Sequence, residues 1–200
     1  MTFNERFLKA KHWQLFLVTF GLPLIFQFIF MGKMSSSISS GTEPDQSTMF
    51  TFLKIYPLLI LPSGLVFFGW FWSVAIGLQS KIPENVIMKV KKFKLLFSIL
   101  LVYLLFINLS LPVLMNGFMT SGTEPSNSQL GLVLSIIIPL HLFSMFCIFY
   151  SLYFVTKTFK TVELQREVDF SDFAGEFFMI WFYPIGIWMV QPRINKMIEK

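Results

Sequence analysis

The sequence contains few charged residues and few of the side chains that build catalytic or metal sites. Charged residues make up only 14% of the 200-residue chain, which excludes a soluble domain with an ordinary charged surface. The single cysteine, Cys147, excludes an intrachain disulfide. One cysteine and two histidines cannot form a metal site of the Cys/His kind without carboxylate ligands, and we expect no cofactor.

Apolar and aromatic residues take the place of the missing charge. Hydrophobic residues make up 54% of the chain, and 26 residues are Phe. This composition indicates an integral membrane protein whose main partner is the lipid bilayer. The net charge of +5 does not indicate nucleic-acid binding, because the lysines and arginines lie in short stretches between apolar runs.

Four long apolar runs predict four transmembrane helices. A helix rises about 1.5 Å per residue and needs about 20 apolar residues to cross a bilayer. The uncharged runs occupy residues 12–32, 55–80, 95–123 and 125–156. We interpret the first as a retained anchor and not as a signal peptide, because its apolar core exceeds the usual length of about 7–15 residues.

A fifth apolar run, residues 177–192, is short for a crossing and is interrupted by Pro184 and Gly186. It opens the stretch FFMIWFYPIGIWMVQPRINK. This stretch resembles the C-terminal endings of small uncharacterised bacterial polytopic membrane proteins, which carry a similar aromatic-Pro-Ile-Gly-Ile-Trp run followed by Gln-Pro-Arg-Ile-Asn. The resemblance covers about a tenth of the chain and implies no activity. We predict a re-entrant or interfacial segment, and five transmembrane helices are the alternative.

The distribution of positive charge predicts the orientation in the membrane. Eleven lysines and arginines lie before the first span, between the second and third spans, and between the fourth span and the fifth apolar run, whereas the alternate loops hold only Lys33 and Lys54. Positive residues concentrate on the cytoplasmic side of short loops. We therefore predict a multi-pass protein of the bacterial cytoplasmic (inner) membrane with its N-terminus in the cytoplasm.

The pentapeptide SGTEP occurs twice, at residues 40–44 and 121–125, each time after an odd-numbered span and before an even-numbered one. The aromatic blocks FFGWFW at 67–72 and FYSLYF at 149–154 correspond when the two halves are aligned. Position, pentapeptide and aromatic block therefore predict a duplicated two-helix unit with both copies in the same orientation. Coincidence in a biased composition is the alternative.

These patterns together predict one all-α membrane domain over residues 1–200. It consists of four transmembrane helices arranged as two tandem parallel helical hairpins, at about residues 12–80 and 95–158, then an amphipathic connector at 159–176 and a short hydrophobic segment with a basic tail at 177–200. In the connector the predicted apolar stripe, Phe170, Phe173 and Phe177, is opposed by acids, namely Asp169, Asp172 and Glu176. Another amphipathic helical stretch is predicted at 82–94, after the first hairpin.

Small residues recur at four-residue spacing on the second span, at Gly69, Ser73 and Gly77. Such a ridge lets another helix approach closely, so we predict a helix-packing stripe that works within the chain or between chains. The alternative is that these small residues only offset the bulk of the aromatic residues around them.

The two glutamates of the repeated pentapeptide, Glu43 and Glu124, are predicted to lie on the outer side of the membrane. One hypothesis brings them together as a pair that holds a cation or a basic partner. The other gives them a local role at the start of the following helix, where a carboxylate next to proline suits the helix N-terminus.

Inside the four spans the sequence places no Asp, Glu, Lys or Arg well away from the ends, which disfavours ion-coupled carriers and most intramembrane hydrolases. His141 is the only imidazole near the middle of a span. It is a candidate polar site together with Asn108, as a ligand or proton-handling residue, and the alternative is a neutral histidine hydrogen-bonded to a carbonyl or to a side chain such as Asn108.

The sequence therefore favours a non-enzymatic membrane protein that binds other membrane components, in an accessory, immunity-type or organising role. Its partner would be another membrane protein or a second copy of the chain. A small uncoupled oligomeric permease or channel is the first alternative. The second is a lipid-modifying enzyme that acts at the cytoplasmic surface through Glu163, Glu167, Asp169, Asp172 and Glu176.

Overall fold

The computed structural model describes residues 1–41, 46–121 and 126–199, and these are almost entirely helical. The helices in chain order are α1 (Phe3–Lys9), α2 (His12–Phe16), α3 (Leu22–Ser39), α4 (Gln46–Gly77), α5 (Val90–Ser121), α6 (Asn127–Leu164), α7 (Phe170–Trp181) and α8 (Tyr183–Glu199). Helix accounts for 87% of the structure, and the described ranges contain no strand. The all-α fold predicted from the sequence is confirmed.

Four continuous helical stretches are long and apolar enough to cross a membrane. They are His12–Ser39, Lys54–Lys81, Val90–Ser110 and Gly131–Leu164. Each contains most of one of the four predicted spans. Helices α7 and α8 are shorter, with 12 and 17 residues.

The first of these stretches contains a widened helical turn that Pro23 explains. A proline has no N–H to donate and its ring crowds the preceding turn. Residues Leu17–Gly21 adopt π-helical form, in which the N–H of Leu22 bonds to the carbonyl of Leu17, five residues back. A single π turn of this kind accommodates the proline, which cannot donate a backbone hydrogen bond, without ending the helix.

Only Ser40, Gly41 and Ser121 of the two SGTEP copies fall within the described residues, and each lies at the end of a helix. Helix α3 ends at Ser39 and α4 begins at Gln46, whereas α5 ends at Ser121 and α6 begins at Asn127. Gly41 has a φ of 67°, the left-handed conformation that glycine provides at helix C-termini. The serine and glycine of the first copy therefore close the helix that precedes them.

The chain forms two compact units. Unit 1 consists of Met1–Met88 and Leu152–Lys200, and unit 2 consists of Lys89–Ser151. Helix α6 belongs to both, because its C-terminal part packs within unit 1. The units do not coincide with the predicted hairpins at 12–80 and 95–158, and the duplication stays a prediction.

Helices α7 and α8 fold back on each other at Phe182. The N–H of Phe182 still bonds to the carbonyl of Phe178, but its ψ of 58° turns the chain out of the helix. A side-chain carbon at Gly186 would overlap the carbonyl group of Met179, so only glycine permits this tight approach. The Pro184 and Gly186 interruption in the sequence therefore marks the start of a second helix after a sharp turn.

The first connector differs from its predicted helical form. Residues 82–89 contain no helix, and α5 begins only at Val90. Pro83 lacks an N–H, and its carbonyl accepts a hydrogen bond from the N–H of Val86 in a turn. The helical spacing of apolar residues therefore applies only from Val90 onward.

The second connector also has other boundaries than predicted. Helix α6 extends to Leu164 and α7 begins at Phe170, so the division placed at residue 177 lies inside α7. Glu176, predicted to oppose the apolar stripe of this helix, is buried with 8% of its surface exposed. Lys160 and Arg193 contact its carboxylate and offset the cost of burying the charge.

Candidate functional site

The small residues of α4 pack against α1 within the same chain. A side-chain carbon at Gly69 would come within 2.7 Å of Phe7, and one at Gly77 within 2.8 Å of Leu8. The hydroxyl of Ser73 donates to Oδ1 of Asn4 at 3.4 Å. The stripe Gly69, Ser73 and Gly77 is therefore the surface of α4 against which α1 packs, because close packing of helices requires small residues.

The buried amide of Gln191 joins α8 to both α1 and α4. Its Nε2 donates to the carbonyls of Phe7, Leu8 and Ala10, at 3.1, 3.1 and 2.8 Å. Its Oε1 accepts the indole N–H of Trp70 at 2.6 Å. The last carbonyls of a helix have no partner in their own helix, so Gln191 satisfies the C-terminal end of α1.

Two neighbouring contacts strengthen this junction. Asn195, one turn further along α8, donates through Nδ2 to the carbonyl of Leu8 at 2.7 Å. The indole of Trp188 packs against the imidazole of His12, with ring centroids 4.5 Å apart and the ring planes tilted by 54°. The junction of α1, α4 and α8 is defined here by Gln191, Asn195 and Trp70, and sequence analysis missed it.

A cluster of four charged side chains joins α6, α7 and α8. Lys160 lies 2.7 Å from Glu176 and 3.0 Å from Glu163. Arg193 donates through Nε to Glu163 at 2.7 Å and through Nη2 to Glu176 at 2.9 Å, and Nη2 also contacts the second oxygen of Glu163. Two cations and two carboxylates therefore neutralise each other where these helices meet.

The environment of the acids in α7 shifts their pKa values downward. Burial alone would raise the pKa of Glu176, but hydrogen bonds from Lys160 and Arg193 outweigh it and hold the pKa below its ordinary value. The hydrogen bond from Arg166 is the main reason that the pKa of Asp172 is also lowered. Both carboxylates therefore stay ionised at neutral pH.

A polar cleft opens beside the charged cluster, between the C-terminal ends of α6 and α8. It has a volume of about 570 Å³ and is lined by Lys81, Glu163, Gln165, Arg193, Lys196 and Met197, with Val162 at its wall. Lys81 donates to the carbonyl of Met197 at 2.6 Å, and Gln165 donates to the carbonyl of Lys81 at 3.2 Å. The ends of the second and fourth spans and the end of α8 therefore meet at one place in unit 1.

In unit 2, His141 and Asn108 have separate partners. Tyr103 Oη lies 3.0 Å from Nδ1 of His141, and Asn108 Nδ2 donates to the carbonyl of Leu104 in its own helix at 2.8 Å. The structure therefore does not join the two residues in one polar site. Tyr103, which sequence analysis did not single out, is the partner of His141.

An apolar cleft of about 600 Å³ lies between α5 and α6, also in unit 2. Its lining includes Phe106, Val113, Leu132 and Leu140, and Ser110 is the one polar side chain among the described lining residues. Val113 and Leu132 expose 72% and 65% of their surface. A cleft of this composition suits an apolar segment, and none of its described lining residues carries a charge that would bind a charged ligand.

The proposed acidic pair, Glu43 and Glu124, lies outside the described residues. In residues 1–41, 46–121 and 126–199, no three His, Cys, Asp or Glu side chains come together as metal ligands would.

No protein-family model, no curated protein and no solved structure matches the chain. The likeness of its C-terminal segment to those of bacterial membrane proteins therefore stays an expectation from the sequence.

Replacing Gln191 by leucine is expected to lower the free energy of unfolding by about 3 kcal/mol or more, because the Trp70 N–H and the end of α1 lose their buried partner. The control is Gln79→Leu, which removes one hydrogen bond, to the carbonyl of Ala75 near the end of α4. Thermal unfolding in detergent measures both. Equal losses in the two variants would contradict the role given to Gln191.

Replacing Glu176 by glutamine is expected to destabilise the protein by about 2–3 kcal/mol at pH 7, because Lys160 and Arg193 lose part of their compensating charge. The folded-state pKa of Glu176 is lowered, so its contribution is complete above the unfolded-state pKa and disappears as the pH falls through the folded-state value. The difference between wild type and variant in thermal unfolding should therefore shrink from pH 7 toward pH 3.

The matched control for this titration is Glu167→Gln. Glu167 lies 3.9 Å from Lys157 and is 69% exposed, so its loss should change stability by less than about 0.5 kcal/mol. A gap between wild type and Glu176→Gln that is constant from pH 7 to pH 3 would contradict the account.

Proposed function

We propose that this chain is a multi-pass protein of the bacterial cytoplasmic membrane that works without catalysis, by binding another membrane protein or a second copy of itself. The observation that carries the proposal is the apolar surface that its spans leave uncovered. In the first and fourth spans only 11% of the most apolar stretch is buried, compared with 39% in the second. In a membrane such a surface is covered by lipid or by another protein.

The apolar cleft between α5 and α6 is the part of this surface best suited to a protein partner. It is concave, and side chains from two helices form its walls. A transmembrane helix placed there would gain van der Waals contacts on two sides, which is the main source of helix association in lipid. We therefore assign the cleft to a transmembrane helix of the partner.

Four of the five acids of the cytoplasmic connector support a role without catalysis, because they already have structural roles, whereas Glu167 is exposed. Glu163 and Glu176 belong to the charged cluster, Asp172 pairs with Arg166 at 2.8 Å, and Glu167 lies 3.9 Å from Lys157. Asp169 is the N-cap residue of α7. A surface enzyme that used these acids would have only the exposed Glu167 available for its substrate, without a second free carboxylate among the five.

The contacts within unit 1 favour an N-terminus and a C-terminal hairpin on the same side of the membrane, and the distribution of positive charge favours the cytoplasm as that side. Helix α1, which precedes the first span, is bonded to α8 through Gln191, and the end of the second span is bonded to α8 through Lys81. If Arg193 and Lys196 lie on that side, they add to the cytoplasmic excess of positive charge. The α7–α8 pair is then a re-entrant or interfacial hairpin and not a fifth span.

The test is site-specific photo-crosslinking in intact membranes. A photoreactive amino acid at Val113 or Leu132, both in the cleft, should yield adducts with a protein, of dimer mass if the partner is a second copy. Leu65 is the matched control, because it is 69% exposed on α4 and lies outside the cleft. It should yield lipid adducts only.

Two results would overturn the proposal. One is the absence of any protein adduct from Val113 and Leu132 in membranes where the protein is stable. The other is an equal yield of the same adduct from Leu65, which would indicate random collision in the membrane.

A further inference from the structure

The polar cleft at the ends of α6 and α8 carries an excess of positive charge. Lys81, Arg193 and Lys196 line it, and Glu163 is the one carboxylate in its lining. The second carboxylate of the adjoining cluster, Glu176, is matched by Lys160. The four charges of the cluster cancel. The other two cations of the cleft, Lys81 and Lys196, therefore have no compensating carboxylate among the residues that line it.

Donor groups for an anion remain in the cleft after the internal contacts are made. Lys81 directs one hydrogen bond to the carbonyl of Met197 and keeps two further N–H groups. Arg193 binds the carboxylates through Nε and Nη2, which leaves Nη1. Lys196 is exposed, and its side chain forms no hydrogen bond or ion pair with another residue in the described part of the chain.

The contacts inside the cleft hold these donors in place. The carbonyl of Met197 fixes the Lys81 ammonium, and the carboxylate of Glu163 fixes the Arg193 guanidinium, whose centre lies 4.9 Å from the ring centroid of Phe159. Gln165, with a positive φ of 53°, ends α6 and bridges Val162 and Lys81 through its amide. A preorganised set of donors binds an anion at a lower entropic cost than mobile surface lysines do.

The cleft lies where two membrane-length helices end. Lys81 is the last residue of the stretch Lys54–Lys81, and Gln165 directly follows the stretch Gly131–Leu164. The side chains of Val162 and Met197 add apolar surface to the wall. In a membrane, this position is at the level of the lipid headgroups, with apolar contacts toward the bilayer and cations toward water.

We propose that this cleft binds a phosphate ester, supplied by the headgroup of an anionic phospholipid in the cytoplasmic leaflet. Its volume of about 570 Å³ suits a glycerol-phosphate headgroup, and basic pockets between helices at the cytoplasmic surface are a known means of holding anionic lipids. The inference depends on the membrane location and orientation given under the proposed function. It does not depend on the partner assigned to the apolar cleft.

The test is native mass spectrometry of the detergent-purified full chain with added phosphatidylglycerol, or with phosphatidylcholine, whose headgroup has no net charge. We expect phosphatidylglycerol to bind more tightly. Lys196→Gln, which breaks no contact within the described residues, should weaken its binding about fivefold, and Lys81→Gln with Lys196→Gln about 30-fold.

The control for net charge is the double variant Lys89→Gln and Lys91→Gln, whose lysines are exposed and lie outside the cleft. It removes the same charge and should keep the affinity of the wild type. An equal loss in this variant, or no preference of the wild type for phosphatidylglycerol, would overturn the cleft as a site.

A competition with glycerol 3-phosphate identifies the source of the phosphate. If a large excess fails to displace phosphatidylglycerol, the lipid is the ligand. Displacement at equal concentration, lost in Lys196→Gln, would instead support the cleft as a phosphate site for a soluble ester. Failure of all lipid binding while Val113 still yields protein adducts would overturn this inference alone, and the proposed function would remain.

Discussion

The structure of unit 1 depends on the buried amide of Gln191. This one side chain accepts from Trp70 on α4 and donates to the end of α1, so that three helices distant in sequence share one polar group. In an apolar surrounding an unpaired amide or indole N–H costs about 1–3 kcal/mol, which makes this arrangement specific. The stripe of small residues on α4 brings α1 to this position, and the turn at Phe182 brings α8 there.

The four long apolar helices could be predicted from the sequence alone. Length and lack of charge identify a membrane-crossing helix locally, because the bilayer imposes one requirement on every span. The stripe at Gly69, Ser73 and Gly77 was predicted as a packing surface because close approach needs small residues, but its partner, α1, is a short charged helix that the sequence did not single out. Only the folded structure shows which helix packs against this stripe of small residues.

The polar contacts could not be predicted in the same way. Gln191 stands between a proline and apolar residues in the sequence, and its partners are carbonyl groups, which every residue has. Glu176 was predicted to face away from the apolar stripe of α7 because periodicity does not include the lysine and arginine of neighbouring helices that enclose it. At His141 the sequence offered Asn108 as a partner, although Asn108 bonds to its own helix and the hydroxyl of Tyr103 lies 3.0 Å from His141. Tertiary position decides such pairings.

The central claim is that the C-terminus lies on the same side of the membrane as the N-terminus, because α8 is bonded to α1 and to the end of the second span. The most direct measurement is a pair of periplasmic reporter fusions, one after Ser39 and one after Lys200. The account predicts activity for the fusion after Ser39 and none for the fusion after Lys200. Periplasmic activity after Lys200 would make the C-terminal segment a fifth span and would contradict the account.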